Sequence, residues 1–97
     1  MAKGYWVSCY HQVKDADKLA AYAKLAAPSI QQSGGRFVVR GPAAKAYEQG
    51  FLQRTVIVEF DSLAAANAAH DGPGYQEALR VLGDAVVRDF RICEGAA

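Results

Sequence analysis

Four short runs of aromatic and β-branched residues, divided by stretches of helical spacing, constrain this chain more than any other feature. Tyr5 to Tyr10, Arg36 to Arg40, Arg54 to Phe60 and Val86 to Ile92 read as strands. After the first run, Leu19, Tyr22, Ala23, Ala26 and Ile30 recur along one helix face. Asp15 stands at the N-cap position with Asp17 in the first turn, and Gly34-Gly35 ends the helix. Pro28 interrupts the pattern and either kinks the helix or restarts it. After the third run, Ser62 caps a helix from Leu63 to about Ala69. Asp71-Gly72-Pro73-Gly74 breaks that helix, and Pro73 opens a further short one carrying Tyr75, Ala78, Leu79 and Leu82 up to Gly83. Residues 43–53 form a polar connection, either a long hairpin loop or extended strand tips. The order β-α-β-β-α-β predicts one ferredoxin-like α+β domain over residues 1–97. Right-handed crossovers place the first and third strands at the centre of a four-stranded antiparallel sheet, with both helices on one face.

A chain of 97 residues has a modest core and gains from association. Its net charge of +1 lacks the basic excess of a nucleic-acid binder or an anionic-membrane binder. The start, Met1-Ala2-Lys3-Gly4-Tyr5, shows no signal-peptide pattern, and no window reaches membrane-span length, so a cytoplasmic location is expected. Cys9 and Cys93 form no CxxC pair and read as reduced thiols. His11 and His70 have no partners at ligand spacing, so no metal is expected. Gly34-Gly35 and Gly72-Pro73-Gly74 match no phosphate-loop pattern, so no nucleotide cofactor is expected. Ser8, Ser29, Ser33 and Ser62 lack the elbow motif of a nucleophile.

Alternation along the strands sorts side chains into two sets. Val7, Cys9, Phe37, Val39, Val56, Val58, Phe60, Phe90 and Ile92 form a mostly apolar set, with Arg54 and Arg88 as exceptions near strand ends. This set is expected under the helices. The other set is mixed: Trp6, Ser8, Tyr10, Arg36, Val38, Arg40, Thr55, Ile57, Glu59, Val87, Asp89 and Arg91. Trp6, Tyr10, Val38, Ile57 and Val87 make too apolar a group for a solvated face, so a second copy is expected to cover it, sheet to sheet. The two cysteines fall on opposite faces by this count, so an intrachain disulfide is not expected.

Gly4-Tyr5-Trp6, Gly34 to Gly41, Arg54 to Phe60, Pro73-Gly74-Tyr75-Gln76 and Glu94-Gly95 together resemble the family named domain of unknown function 1330, over nearly the whole chain. The chain departs from the family pattern at Ala69-His70-Asp71-Gly72. The resemblance implies the dimeric α/β-barrel superfamily, in which two ferredoxin-like units stack their sheets. Relatives there include cofactor-free monooxygenases, muconolactone isomerase-like enzymes and polyketide cyclases, and in the last of these a His and a Tyr transfer protons in a cavity between sheet and helices. Fold alone fixes no function.

Two constellations carry chemistry. On the mixed face, Arg36 and Arg40 are expected to point the same way and could clamp a carboxylate, with Glu59 on the neighbouring strand. Arg91 and Asp89 complete that cluster, whose plainer reading is mutual neutralisation that fixes the dimer register. Trp6, Arg36, Arg40 and Glu59 are the candidate ligand-binding residues. The second constellation is His70 with Asp71 and Tyr75, suited to proton transfer on a carbon acid, His70 and Tyr75 being the candidate catalytic pair. Its plainer reading is an exposed helix-end His and a core Tyr. Three functions follow: an isomerase, cyclase or monooxygenase without cofactor acting on an aromatic or carboxylate substrate; a non-catalytic binder of a small anionic metabolite; or a structural or regulatory homodimer with no ligand.

Overall fold

The computed structural model describes residues 2–96. Strand β1 spans Gly4–Val13, helix α1 Ala16–Gln32, β2 Arg36–Pro42, β3 Arg54–Phe60, α2 Leu63–Asp71, α3 Pro73–Leu82 and β4 Val86–Glu94. All strand pairings are antiparallel, in the order β2-β3-β1-β4. The chain therefore has the ferredoxin-like α+β fold, with β1 and β3 central. Residues 43–53 are a loop, not strand tips.

The caps act where the sequence places them. Asp15 accepts a hydrogen bond from the backbone of Lys18, and Ser62 from that of Ala65. Pro28 neither breaks nor restarts α1, which runs through it. Pro28 and Lys24, one turn earlier, are both exposed, so the carbonyl that Pro28 cannot bond is open to water. Helix α1 packs along α3. The two come close at Gly74, where a Cβ would lie 2.7 Å from Ser29 Oγ.

The register fixes what lies beneath the helices. Phe37, Val58, Trp6 and Ile92 form one row across the sheet. Arg40, Val56, Ser8 and Phe90 form the next, and Tyr10 pairs with Arg88 beyond it. Trp6, Ser8 and Tyr10 are all buried. The side chains of β1 are thus reversed from the sequence expectation: Trp6, Ser8 and Tyr10 face the helices, and Val7 and Cys9 face away. Both sides of this strand are largely apolar, so alternation alone could not orient it. The larger aromatic area goes inward, and Trp6 Nε1 donates to the Ala66 carbonyl of α2 at 2.9 Å, which satisfies the indole where it is buried.

A second correction concerns β2. Its pairing with β3 slips between Phe37 and Val39, a bulge at Val38. The extra residue returns Val39 to the open face opposite Ile57 and turns Arg40 inward opposite Val56. Arg36 and Arg40 therefore lie on opposite faces and cannot clamp one carboxylate. A third correction follows for the cysteines, which share the open face. Cys93 pairs with Tyr5 and Cys9 with Asp89. Four residues of strand separate the two positions by about 13 Å. That is beyond disulfide reach, so distance keeps the thiols apart where face does not.

Among the described residues no helix is long and apolar enough to cross a membrane. Among the described glycines the closest approach is at Gly4, where a Cβ would come within 2.4 Å of the Ser62 carbonyl oxygen. Backbone cannot yield there as a side chain could. Gly4→Ala is expected to cost about 1–3 kcal/mol, as overpacking does. Thermal unfolding checks this, with a midpoint lowered by at least about 4 °C.

Candidate functional site

Between the sheet and α1 lies a cavity of about 40 Å³, enough for a few water molecules as it stands. Its floor is Trp6, Ser8, Tyr10, Val56, Val58 and Phe90, and its roof is Tyr22, Ala23, Ala26, Ala27 and Ile30 of α1. Tyr75 of α3 closes one side, and Arg40, Arg54 and Arg88 supply the polar part.

Arg88 is the organising residue. Its Nη1 donates to the Tyr10 hydroxyl at 3.2 Å, the Tyr22 hydroxyl at 3.4 Å and Ser8 Oγ at 3.5 Å. Its Nη2 donates to the Tyr75 hydroxyl at 3.2 Å. The Tyr22 and Tyr75 hydroxyls are 2.6 Å apart, so one donates to the other. Both phenols also accept from Arg88, and only one of their two protons is used between them. The other is free for a guest, as are those of Tyr10 and Ser8, which donate to no described protein group.

Burial raises the Tyr22 pKa above its ordinary 10.0, and the neighbouring Tyr75 raises it further against the opposing pull of Arg88. The phenol therefore stays protonated at neutral pH and acts as a donor. For Arg88, burial opposes the charge, but the surrounding tyrosines outweigh it and the pKa rises. Among the described residues no carboxylate lines the cavity, and Arg40, Arg54 and Arg88 form no ion pair. The site is rich in donors, positively charged and walled by aromatic rings. Such a site suits a small guest with an oxyanion and a flat apolar body.

The sequence candidates divide among three places. Tyr75, Trp6 and Arg40 line the cavity. His70 does not, although its ring centroid is 5.4 Å from that of Tyr75. No hydrogen bond joins those two, and His70 Nδ1 lies 3.2 Å from the Asp71 carboxylate. Arg36 and Glu59 are on the open face. Arg36 donates from Nε and Nη2 to Glu59 at 3.2 and 3.0 Å and from Nη2 to Asp61 at 3.2 Å, while Tyr5 donates to Glu59 at 2.9 Å. The bond from Tyr5, then those from Arg36, hold the Glu59 carboxyl below its usual range. Arg91 grips Asp89 through two bonds of 2.9 and 3.0 Å. With Arg40 turned inward, the arginines left on this face, Arg36 and Arg91, are each matched by an acid. Among the described residues no cluster of three His, Cys, Asp or Glu could hold a metal ion.

Sequence reasoning passed over Tyr10, Tyr22, Arg54 and Arg88 as site residues. Arg54 and Arg88 stood out as charges in an otherwise apolar inward set, and that was the available signal. Tyr22 looked like any core position of an amphipathic helix.

The raised Tyr22 pKa has a pH consequence. Above pH 10 the unfolded phenol ionises while the folded one keeps its proton, so the folded state binds more protons and stability falls as pH rises. The loss is about 1.4 kcal/mol per pH unit for one such group. Urea unfolding between pH 9 and about 11.5 measures the slope, which Tyr22→Phe is expected to reduce by that amount.

The fold is shared with solved structures. A protein of unknown function from Rhodopseudomonas palustris aligns with a TM-score of 0.77 at 18% identity, covering 99% of this chain and 84% of that one. SnoaB, a cofactor-independent oxygenase from Streptomyces nogalater, aligns at 0.62 and 13% identity, covering 100% and 96%. A dimeric ferredoxin-like protein of unknown function from Thermobifida fusca aligns at 0.55 and 12%, covering 96% and 91%. At these identities the likeness is one of fold. No curated protein matches the chain. The model of the family described as domain of unknown function 1330 matches residues 3–96, and the chain belongs to that family.

Proposed function

We propose that the protein is a cofactor-independent enzyme of the isomerase, cyclase or monooxygenase type. Its substrate is a small aromatic or carboxylate-bearing molecule that, once its oxygen is held by the cavity's donors, loses a proton to water and reacts as an enolate or phenolate. The observation that carries this is the Tyr22–Tyr75–Arg88 cluster, a preorganised set of donors in an aromatic-walled cavity with no acid among the described residues to neutralise it. Donors fixed in advance stabilise negative charge as it develops and reorganise little in doing so. An oxyanion held there is an electron-rich carbon nucleophile. It can be reprotonated at another carbon, attack a carbonyl of the same molecule, or react with dioxygen. Likeness of fold to a cofactor-independent oxygenase supports the last of these as one option. Tyr75 and Tyr22 are the donors, Arg88 the fixed cation and Trp6 a wall of the site. His70 buttresses Tyr75 from outside the cavity.

A chromophoric acid tests the cluster before any substrate is known. Bound 4-nitrophenol is expected to ionise about 1–2 pH units below its value in buffer, the worth of one charge-assisted hydrogen bond. Absorbance titration reads this directly. The shift is expected to vanish in Arg88→Met and to shrink in Tyr75→Phe, with circular dichroism confirming the fold. A wild-type protein that binds the probe without shifting it, or does not bind it at millimolar concentration, overturns the reading.

The partner in this reading is a second copy, covering the open sheet face. Val39, Ile57 and Val7 form an unbroken apolar row there, and Val38, Val39 and Val87 are 52, 43 and 43% exposed in the single chain. The fold is also that of a dimeric protein. Ionic pairs at Arg36–Glu59 and Arg91–Asp89 flank the row and suit the rim of such an interface. Sedimentation equilibrium is expected to give twice the chain mass, and Ile57→Glu the single mass with native circular dichroism. A wild-type monomer at tens of micromolar overturns the pairing.

A further inference from the structure

Arg88 is bonded by hydroxyl groups, but Arg54 is not. Its Nε is buried and has no hydrogen-bond partner among the described residues. A buried donor left unpaired is rare enough in folded proteins to call for an explanation, and a missing ligand is one. Arg54 borders two spaces at once: the inner cavity and an adjoining groove of about 220 Å³ bounded by Tyr10, Ala16, Leu19, Ala20, Tyr22 and Ala23. With Tyr10, Tyr22 and Ala23 it belongs to the wall that the two spaces share. Arg40 reaches the cavity from the neighbouring strand, its guanidinium 4.3 Å from the centroid of the Phe37 ring and free of any described carboxylate.

The register sets the spacing. Cys9 pairs with Thr55 and Tyr10 with Arg88, so one further step along β1 and β3 sets Arg54 beside Tyr10. Arg54 and Arg88 then flank Tyr10 on one row, their backbones two strand spacings or about 10 Å apart. Arg88 is committed to four hydroxyl groups inside the cavity, whereas Arg54 also borders the groove, so the two meet a guest at different points. They fit two acidic groups separated by a flat spacer, with the inner group among the phenols and the outer one at the mouth.

We propose that Arg54, assisted by Arg40, is a second anion subsite that takes the carboxylate of the substrate, so that the substrate class is a carboxylic acid with a phenol or enolisable carbonyl at its far end. This rests on the reading of the inner cluster as an oxyanion site and adds the outer recognition element. The inner cavity admits the reacting head, the groove along α1 holds the spacer, and Arg54 meets the carboxylate with the planar fork that favours two-point contact. Arg54 is a binding residue here and takes no part in proton transfer.

Trp6 is the chain's single tryptophan and lies in the cavity wall, so its emission reports occupancy. The probes are 4-hydroxyphenylacetate and 4-hydroxyphenylacetamide, which share the phenol and differ in the charge of the outer group. Wild-type protein is expected to bind the acid at least tenfold more tightly than the amide. In Arg54→Gln that preference is expected to fall to within twofold of unity while affinity for the amide is unchanged, and Arg40→Gln is expected to lower it partially. Arg88→Met is expected to weaken both probes alike. Equal wild-type affinity for the two probes overturns the outer subsite and leaves the inner one standing. A parallel loss of both probes in Arg54→Gln, with native circular dichroism, also overturns it, because the residue then shapes the cavity and does not read charge. Failure of both probes to quench Trp6 in wild-type protein overturns the inner reading together with this one.

Discussion

A half-buried guanidinium held by hydroxyl groups, with no carboxylate beside it, is the constraint around which the inner half of this molecule is arranged. Arg88 projects from β4 under α1, and Tyr10, Tyr22 and Tyr75 reach it from a strand and two helices. A carboxylate in their place would form a strong charge-assisted pair and close the site. Phenols stabilise the cation more weakly, and burial keeps Tyr22 from ionising to neutralise it. The positive charge is thus tolerated by the fold and stays available. The cost of holding it is met by tying three elements of the fold to one point, which fixes where α1 and α3 sit over the sheet.

The two faces of the sheet treat charge in opposite ways. On the open face each described arginine has its acid: Arg36 with Glu59 and Asp61, Arg91 with Asp89. These pairs are partly exposed, so solvent screens them and they contribute little to stability. They leave the row of Val39, Ile57 and Val7 between them as apolar surface. On the inner face the arginines are unmatched. A chain with nearly balanced total charge therefore conceals a strong local imbalance, which a net charge of +1 cannot reveal.

Much of the fold was legible because several independent signals agreed. Strands β3 and β4 were oriented correctly, since Val56, Val58, Phe60, Phe90 and Ile92 outnumber the polar residues that alternate with them. Caps at Asp15 and Ser62 and the Gly-Pro-Gly break located the helices to within a few residues. The site was less legible, for two physical reasons. In β1, alternation puts Trp6, Ser8 and Tyr10 with the mixed set, yet Trp6 and Tyr10 carry far more apolar area than Val7 and Cys9, and the Ser8 hydroxyl finds Arg88. In β2, a bulge adds one residue and flips everything after it, and no local residue pattern at Val38 announces that slip. Together these placed Trp6 and Arg40 on the wrong side of the sheet. They also hid the meaning of Arg54 and Arg88, which were seen as exceptions and explained by proximity to strand ends.

The cavity exists because of what α1 does not carry. The helix presents Tyr22, Ala23, Ala26, Ala27 and Ile30 to the sheet, so three of the five roof positions are alanines. Periodicity treats such a stripe as core, and by burial it is. Periodicity measures where side chains point and not how much space they fill. Opposite these alanines the sheet offers Ser8, Val56 and Phe90, a pairing of small against medium that leaves a gap beneath the helix. Interiors are otherwise packed as densely as organic crystals, so a gap lined by rings and hydroxyls is stable only because the residues around it are held elsewhere. Tyr22 and Ile30 pin the helix at either side of the alanine run, and the phenol–guanidinium cluster pins its inner end. The same contacts that hold the helix down therefore hold the space open beneath it. A guest larger than this space must lie partly in the groove beside α1, where Tyr10, Tyr22, Ala23 and Arg54 join the two.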